Sequence, residues 1–323
     1  DLILFTNHNR SFRSESPKFY LRHGLSVNKV DEDGNIIIFG KLGRDQSGGI
    51  IYDKVFVESP CVHSLIAGRY PEFQERLVVG GDIEMELIDR GGRDRREVFE
   101  RCGFDEKKQI VMIQSTWGKS LLNCGDERLL DVLPVLQRRY NVVVSLHPKT
   151  VHSTDDKYDP GTRDIIEYCR RSTGCVCVDD GSWTSLVHHC DYLVSDYTSA
   201  LFYALPYVHG VVLVDIPSIR FWENSPVREL GRIATVVRRL GDVPYALERE
   251  SATCKKALYE EFSHTLFGDY KHSTQVHVRF VSDFLKLRYT VENKEAMNEC
   301  AQTAAEVGKY GESVHVHAHD IVV

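Results

Sequence analysis

Hydroxyl and acid side chains crowd one stretch of the chain, Asp191-Tyr192-Leu193-Val194-Ser195-Asp196-Tyr197-Thr198-Ser199. Tyr192 to Ser195 reads as a buried strand and Ser199 onward as a helix, so Asp196, Tyr197, Thr198 and Ser199 fall on the turn between them. The first N–H groups of a helix have no intrahelical partner and carry the positive end of its dipole, so such a turn binds anions. Thr198 and Ser199 are equally good helix caps, a purely structural use of the same residues. Asp196 would repel a phosphate and fits better as a cap or as the orienting partner of a histidine.

A second strand end carries Leu146-His147-Pro148. Pro148 restricts His147 to extended backbone. A histidine so placed can donate to an oxyanion or relay a proton; satisfying loop carbonyls is the plain alternative. His23-Gly24 follows the apolar run Phe19 to Leu21 in the same manner, and the glycine lets the chain turn sharply. Ser115-Thr116-Trp117-Gly118-Lys119-Ser120 follows the strand Ile110 to Ile113. It is not a P-loop, because Ile113 occupies the place of the first glycine. Ser115 and Thr116 nevertheless lie at the ligand end of that strand, with Thr116 as the polar contact. Functional side chains at strand ends of one sheet point to a phosphate-handling enzyme. Arg90, Arg93, Arg95, Arg96 and Arg101 are interleaved with Asp94, Glu97 and Glu100, the pattern of a solvated helix face. His315, His317 and His319 would share one face of a strand and could hold zinc, although an exposed tail is the simpler reading.

The elements that must position these residues follow from the apolar pattern. Short runs at Leu2 to Thr6, Phe19 to Leu21, Ile36 to Phe39, Lys54 to Val57 and Arg76 to Val79 are bounded by turn residues and read as strands. Ser59 to Ala67 and Asp89 to Cys102 read as helices, the latter with Val98 and Phe99 as its apolar face. From Ile110 the alternation is regular. Strands at 110–113, 142–146, 175–178, 192–195, 211–214 and 233–237 are separated by helices at 127–139, 162–171, 184–189 and 200–207. Helices at 255–267 and 274–287 close the pattern. Nearly all-apolar strands alternating with helices describe a parallel sheet covered on both faces, an α/β fold.

Composition narrows the function. The 323 residues exceed what one core usually serves, so two domains are expected. A net charge of −7 argues against a general nucleic-acid binder. No apolar run is long enough to span a bilayer, and no signal peptide stands at the start. The nine cysteines are odd in number and never spaced as CxxC, which fits a reduced cytosolic protein. The chain opens on Asp1 rather than Met, as an excised or processed piece would.

In order, His23-Gly24, Val79-Gly80-Gly81-Asp82, Ser115-Thr116-Trp117, His147-Pro148, Ser195-Asp196-Tyr197-Thr198-Ser199 and Phe267-Gly268-Asp269-Tyr270 resemble the CDP-glycerol glycerophosphotransferase family, which builds teichoic-acid-like and capsule polymers. The resemblance covers about residues 18 to 285. It implies a GT-B architecture of two Rossmann-like domains facing across a cleft: residues 1–103 for the acceptor, 104–290 for the nucleotide donor, and 291–323 as a tail. Only 22 residues precede His23, so either the first unit is reduced or the chain is truncated. Carried over, His23 becomes the general base and His147 the phosphate-stabilising or proton-donating group. Thr198 and Ser199 hold the pyrophosphate, with Gly24, Ser115, Thr116, Ser195 and Asp196 around the nucleotide. The implied reaction moves a polyol phosphate, glycerol phosphate foremost, from a CDP-activated donor to a hydroxyl of a polymer, glycan or lipid-linked acceptor, and releases CMP. Work at the inner membrane face, by peripheral contact, is implied. No cofactor is indicated, and assistance by a divalent metal stays open. Two other readings fit the residues: a GT-B glycosyltransferase using a nucleotide-sugar, and a non-catalytic nucleotide-binding or scaffold module.

Overall fold

A computed structural model describes residues 2–6, 16–22, 24–25, 27, 30–36, 39–40, 43–45, 47–92, 94–116, 123–124, 127–152, 161–178, 181–217 and 219–284. Strands β1 (Ile3–Phe5), β2 (Lys18–Tyr20), β3 (Lys54–Val57) and β4 (Leu77–Val79) form a parallel sheet in sequential order. Helix α1 (Pro60–Arg69) starts on Ser59, whose hydroxyl accepts from the Val62 N–H, and links β3 to β4. After β4 come α2 (Ile83–Arg90) and α3 (Arg95–Cys102).

The second sheet begins with β5 (Gln109–Gln114). It is followed by a two-stranded hairpin of β6 (Asn123–Cys124) and β7 (Glu127–Arg128), then α4 (Leu129–Gln137), β8 (Tyr140–Ser145), α5 (Pro148–His152), α6 (Thr162–Arg171) and β9 (Cys175–Val178). Next are α7 (Trp183–Leu186), β10 (Tyr192–Ser195), α8 (Ala200–Ala204), β11 (Gly210–Val214), α9 (Pro226–Leu230), β12 (Thr235–Val237), α10 (Val243–Ala252), α11 (Lys256–Phe267) and α12 (Ser273–Phe284). The order is β12-β11-β10-β5-β8-β9, parallel throughout. The chain therefore leaves β5 toward β8 and β9, then returns to the other side of β5 for β10. The switch point lies between β5 and β10, where open α/β sheets bind ligands.

Alternation along β5 divides the interior. Val111 and Ile113 join one cluster with α4, α6 and α10, while Ile110 and Met112 join another that runs on into the first sheet. Leu201, Phe202, Tyr203 and Ala204 are each buried to 1% exposure or less, so α8 is covered on every side and wedges between the two sheets.

Three sequence expectations change. The stretch 89–102 is two helices, broken at Gly91-Gly92 and restarted by Asp94, which accepts from the Arg96 and Glu97 N–H groups. Of the strand expected from Ile36 to Phe39, neither described end joins a ladder. Ile36 makes an isolated bridge to Val30, and Phe39 stacks on Tyr70 because both are core packing, not sheet edge. The helix after Ser199 is shorter than expected, ending at Ala204.

Candidate active site

Three adjacent strands of the second sheet end side by side, and the expected residues cap them. β10 leads to Asp196–Ser199, β5 to Ser115–Thr116, and β8 to His147. Asp196 is fully buried and ties two of these ends together. Its carboxylate accepts from the Ser115 hydroxyl at 3.0 Å, the Thr116 N–H at 3.0 Å and the Thr198 N–H at 3.1 Å. Asp196 therefore holds the turn and does not cap α8, whose N-cap position is Ser199. Ser195 is buried and donates to the Gln114 carbonyl at 3.2 Å, closing the floor of the crevice.

Ser199 does not spend its hydroxyl on capping: the start of α8 has no side-chain cap hydrogen bond. The side chain instead faces the first sheet. Gly24 has φ +71°, and a Cβ there would lie 2.9 Å from the Ser199 Oγ. The glycine of the His23-Gly24 pair thus touches the serine of the hydroxyl-rich turn, so the ends of β2 and β10 meet. With five residues, α8 contributes little macrodipole; local N–H and O–H groups carry any anion contact there. His147 lies at the end of β8, and its carbonyl accepts from the Thr150 N–H at 2.8 Å as α5 begins at Pro148. His23 and residues 117–120 lie outside the described residues, as do His315, His317 and His319. Among the described residues no group of three His, Cys, Asp or Glu could hold a metal ion.

The first sheet brings a set of charged groups that sequence reasoning assigned no chemistry. Arg22 follows β2, Glu58 follows β3 and Asp82 follows β4. The Arg22 guanidinium donates to the Glu58 Oε2 at 2.8 Å, both side chains being 3% exposed. Burial pushes the Glu58 carboxyl up to about 7; Arg22 opposes the shift without cancelling it, and Asp82 adds to it. Asp82 caps α2 through the Met85 N–H at 2.7 Å and accepts from the Tyr203 hydroxyl of α8 at 2.9 Å. Burial raises its carboxyl as well. Burial also pushes the carboxyl of Glu84, two residues on, up to about 7, and Asp82 adds to the shift. The signal was available in part, because each of Arg22, Glu58 and Asp82 lies within three residues of the end of a parallel strand.

No protein-family model matches the sequence, and no curated protein does. Solved structures do. The fold is similar to that of the wall teichoic acid polymerase TagF, with TM-score 0.56 at 13% identity over 88% of this chain and 72% of that one. A variant of that polymerase soaked with CDPG gives TM-score 0.56 at 13% identity over 88% of this chain and 71% of that one. A complex of S. aureus MnaA with UDP gives 0.53 at 15% identity over 84% and 70%. At such identities the likeness is one of fold: two parallel α/β sheets in a GT-B-like arrangement.

Proposed function

We propose that this chain is a transferase that moves a polyol phosphate, glycerol phosphate foremost, from a CDP-activated donor to a hydroxyl of a polymer, glycan or lipid-linked acceptor. One observation carries the reading: the Asp196-locked ends of β5 and β10, at the switch point, meet the His23-Gly24 turn of the other sheet through Gly24 and Ser199. A donor diphosphate belongs on the second sheet, near Thr198, Ser199 and His147. The acceptor hydroxyl belongs at the end of β2, where His23 draws its proton. The hydroxyl oxygen attacks the phosphorus bearing the polyol, and CMP departs with the electron pair of the broken P–O bond. Fixed donors at the crevice stabilise the charge on the leaving group without reorganising. The division into an acceptor unit, a donor unit and a tail is part of this reading.

A donor panel of CDP-glycerol, CDP-ribitol, UDP-sugars and CMP-sugars, scored by released nucleotide, tests it. CMP release from a CDP-polyol is expected, and loss of that release in His23→Ala and His147→Ala. Turnover confined to a nucleotide-sugar would replace this reading with the glycosyltransferase one, which the likeness to the MnaA–UDP complex favours. CDP binding without any turnover would favour a non-catalytic module.

A further inference from the structure

Three of the nine cysteines fall between residues 169 and 177. Cys169 lies in the last turn of α6, and Cys175 and Cys177 lie on β9. The link from α6 to β9 is only Ser172 to Gly174, and Gly174 takes φ +74° to make the turn. Helix and strand therefore pack directly against each other. Alternation puts Cys175 and Cys177 on one face of β9, and all three cysteines join the cluster that holds Val142, Val144 and Ile165. The Cys169 and Cys175 sulphurs touch, 3.4 Å apart, and both residues are buried. A disulfide needs about 2.05 Å, so closing the pair takes an approach of about 1.4 Å.

We propose that Cys169 and Cys175 form a reversible disulfide when the folded protein meets a peroxide. β9 is the last strand of the second sheet, and Cys177, two residues on, is only half-buried, so a small oxidant reaches this flank from solvent. One thiol sulphur attacks a peroxide oxygen; the O–O bond breaks, and a sulfenic acid and one water form. The second thiol sulphur attacks the first; the S–O bond breaks, the S–S bond forms and a second water leaves. Two thiols are oxidised and one peroxide is reduced. Pairing with Cys175, above all, holds the Cys169 proton and pushes that thiol up to about 12. Little thiolate is present at neutral pH, so closure takes sustained rather than brief exposure.

The bridge acts as a staple. A strand at the margin of a sheet is among the first to open, and a bond from β9 to α6 ties it to the helix that covers it. The pair lies on the face of the sheet turned away from the first sheet, so closing it leaves the crevice side chains in place. The inference stands apart from the transferase reading.

Arg170 and Arg171 lie between the two cysteines, so trypsin separates them and only a disulfide keeps their peptides together. The folded full chain is treated with hydrogen peroxide, unfolded and alkylated at acidic pH, and digested without reductant. A Cys169–Cys175 cross-linked peptide pair is expected, lost after dithiothreitol and retained in Cys254→Ser, which removes an exposed thiol. Amide exchange across Cys175–Val178 should slow by about threefold or more in the oxidised chain and return on reduction. A chain with Cys254 fully oxidised, while Cys169 and Cys175 are both still alkylated, would overturn the proposal. So would a bridge from Cys169 to Cys177 in its place, or one that forms only after unfolding in urea.

Discussion

Asp196 and Ser199, three residues apart, differ in what they bond to: the Asp196 carboxyl ties two loops together, and the Ser199 hydroxyl makes no capping bond. Asp196 is a buried carboxyl that accepts from the Ser115 hydroxyl and from the Thr116 and Thr198 N–H groups, on two loops. Asp196→Ala leaves those donors buried and unpaired, so a loss of about 3 kcal/mol is expected in urea melts. The Ser199 hydroxyl makes no capping bond, so Ser199→Ala should leave the melts within about 0.5 kcal/mol of wild type. If it holds a phosphate, the same variant should weaken CDP binding roughly tenfold in a titration. Unchanged CDP affinity in Ser199→Ala would remove that residue from the donor site. The turn, the Ser115–Thr116 end and His147 were legible because parallel strands carry their ligands at one end, and the strand pattern is strong there. Arg22, Glu58, Glu84 and Tyr203 were not. They are far apart in sequence and become one group only when β2, β3 and β4 align and α8 descends onto them.

At the scale of elements, the regular half of the chain was readable because its strands are buried on both faces: β8 and β11 are buried at every position. Local chemistry did less well where packing overrides it. The run around Phe39 is apolar to fill the space beside Tyr70 and Phe73, and α8 is short because it is a wedge rather than a surface helix. The junction of the two sheets depends on the close approach of β2's end to β10's end. Gly24→Ala meets two obstacles there, the positive φ and the Ser199 side chain. The first costs about 1–2 kcal/mol wherever the new methyl points, and the second disappears if Ser199 is also shortened. A double-mutant cycle with Ser199→Gly should therefore give a coupling of about 0.5–1 kcal/mol in favour of the pair. Strict additivity in thermal or urea melts would mean that the two strand ends do not touch.

The whole molecule is closed by its last described helix, which returns to the first sheet rather than staying with the second. Phe280 lies 5.7 Å from Phe19 and 5.3 Å from Phe56, and His277 stacks on Phe56 at 4.3 Å. Thr274 donates its N–H and hydroxyl to Glu86 of α2 at 2.7 and 2.8 Å. Gly80 permits this approach, since a Cβ there would lie 2.6 Å from the His277 ring. None of these contacts could be read from helical periodicity, which shows that α12 has an apolar face but not which sheet receives it. No helix among the described residues is long and apolar enough to cross a membrane. Burial lowers the His277 pKa below its usual 6.5, although the Ser273 carbonyl and Glu86 pull the other way. An undocked helix therefore binds a proton that the docked helix resists. The docking stability is whole above pH 6.5 and declines as pH falls below it. Amide protection across Ser273–Phe284, corrected for intrinsic exchange, should drop by about threefold or more between pH 7.5 and 5.5. His277→Phe keeps a ring on Phe56 and removes the titration, so its protection should be flat over the same interval. An equal decline in that variant would assign the pH dependence to another group and leave His277 as packing alone.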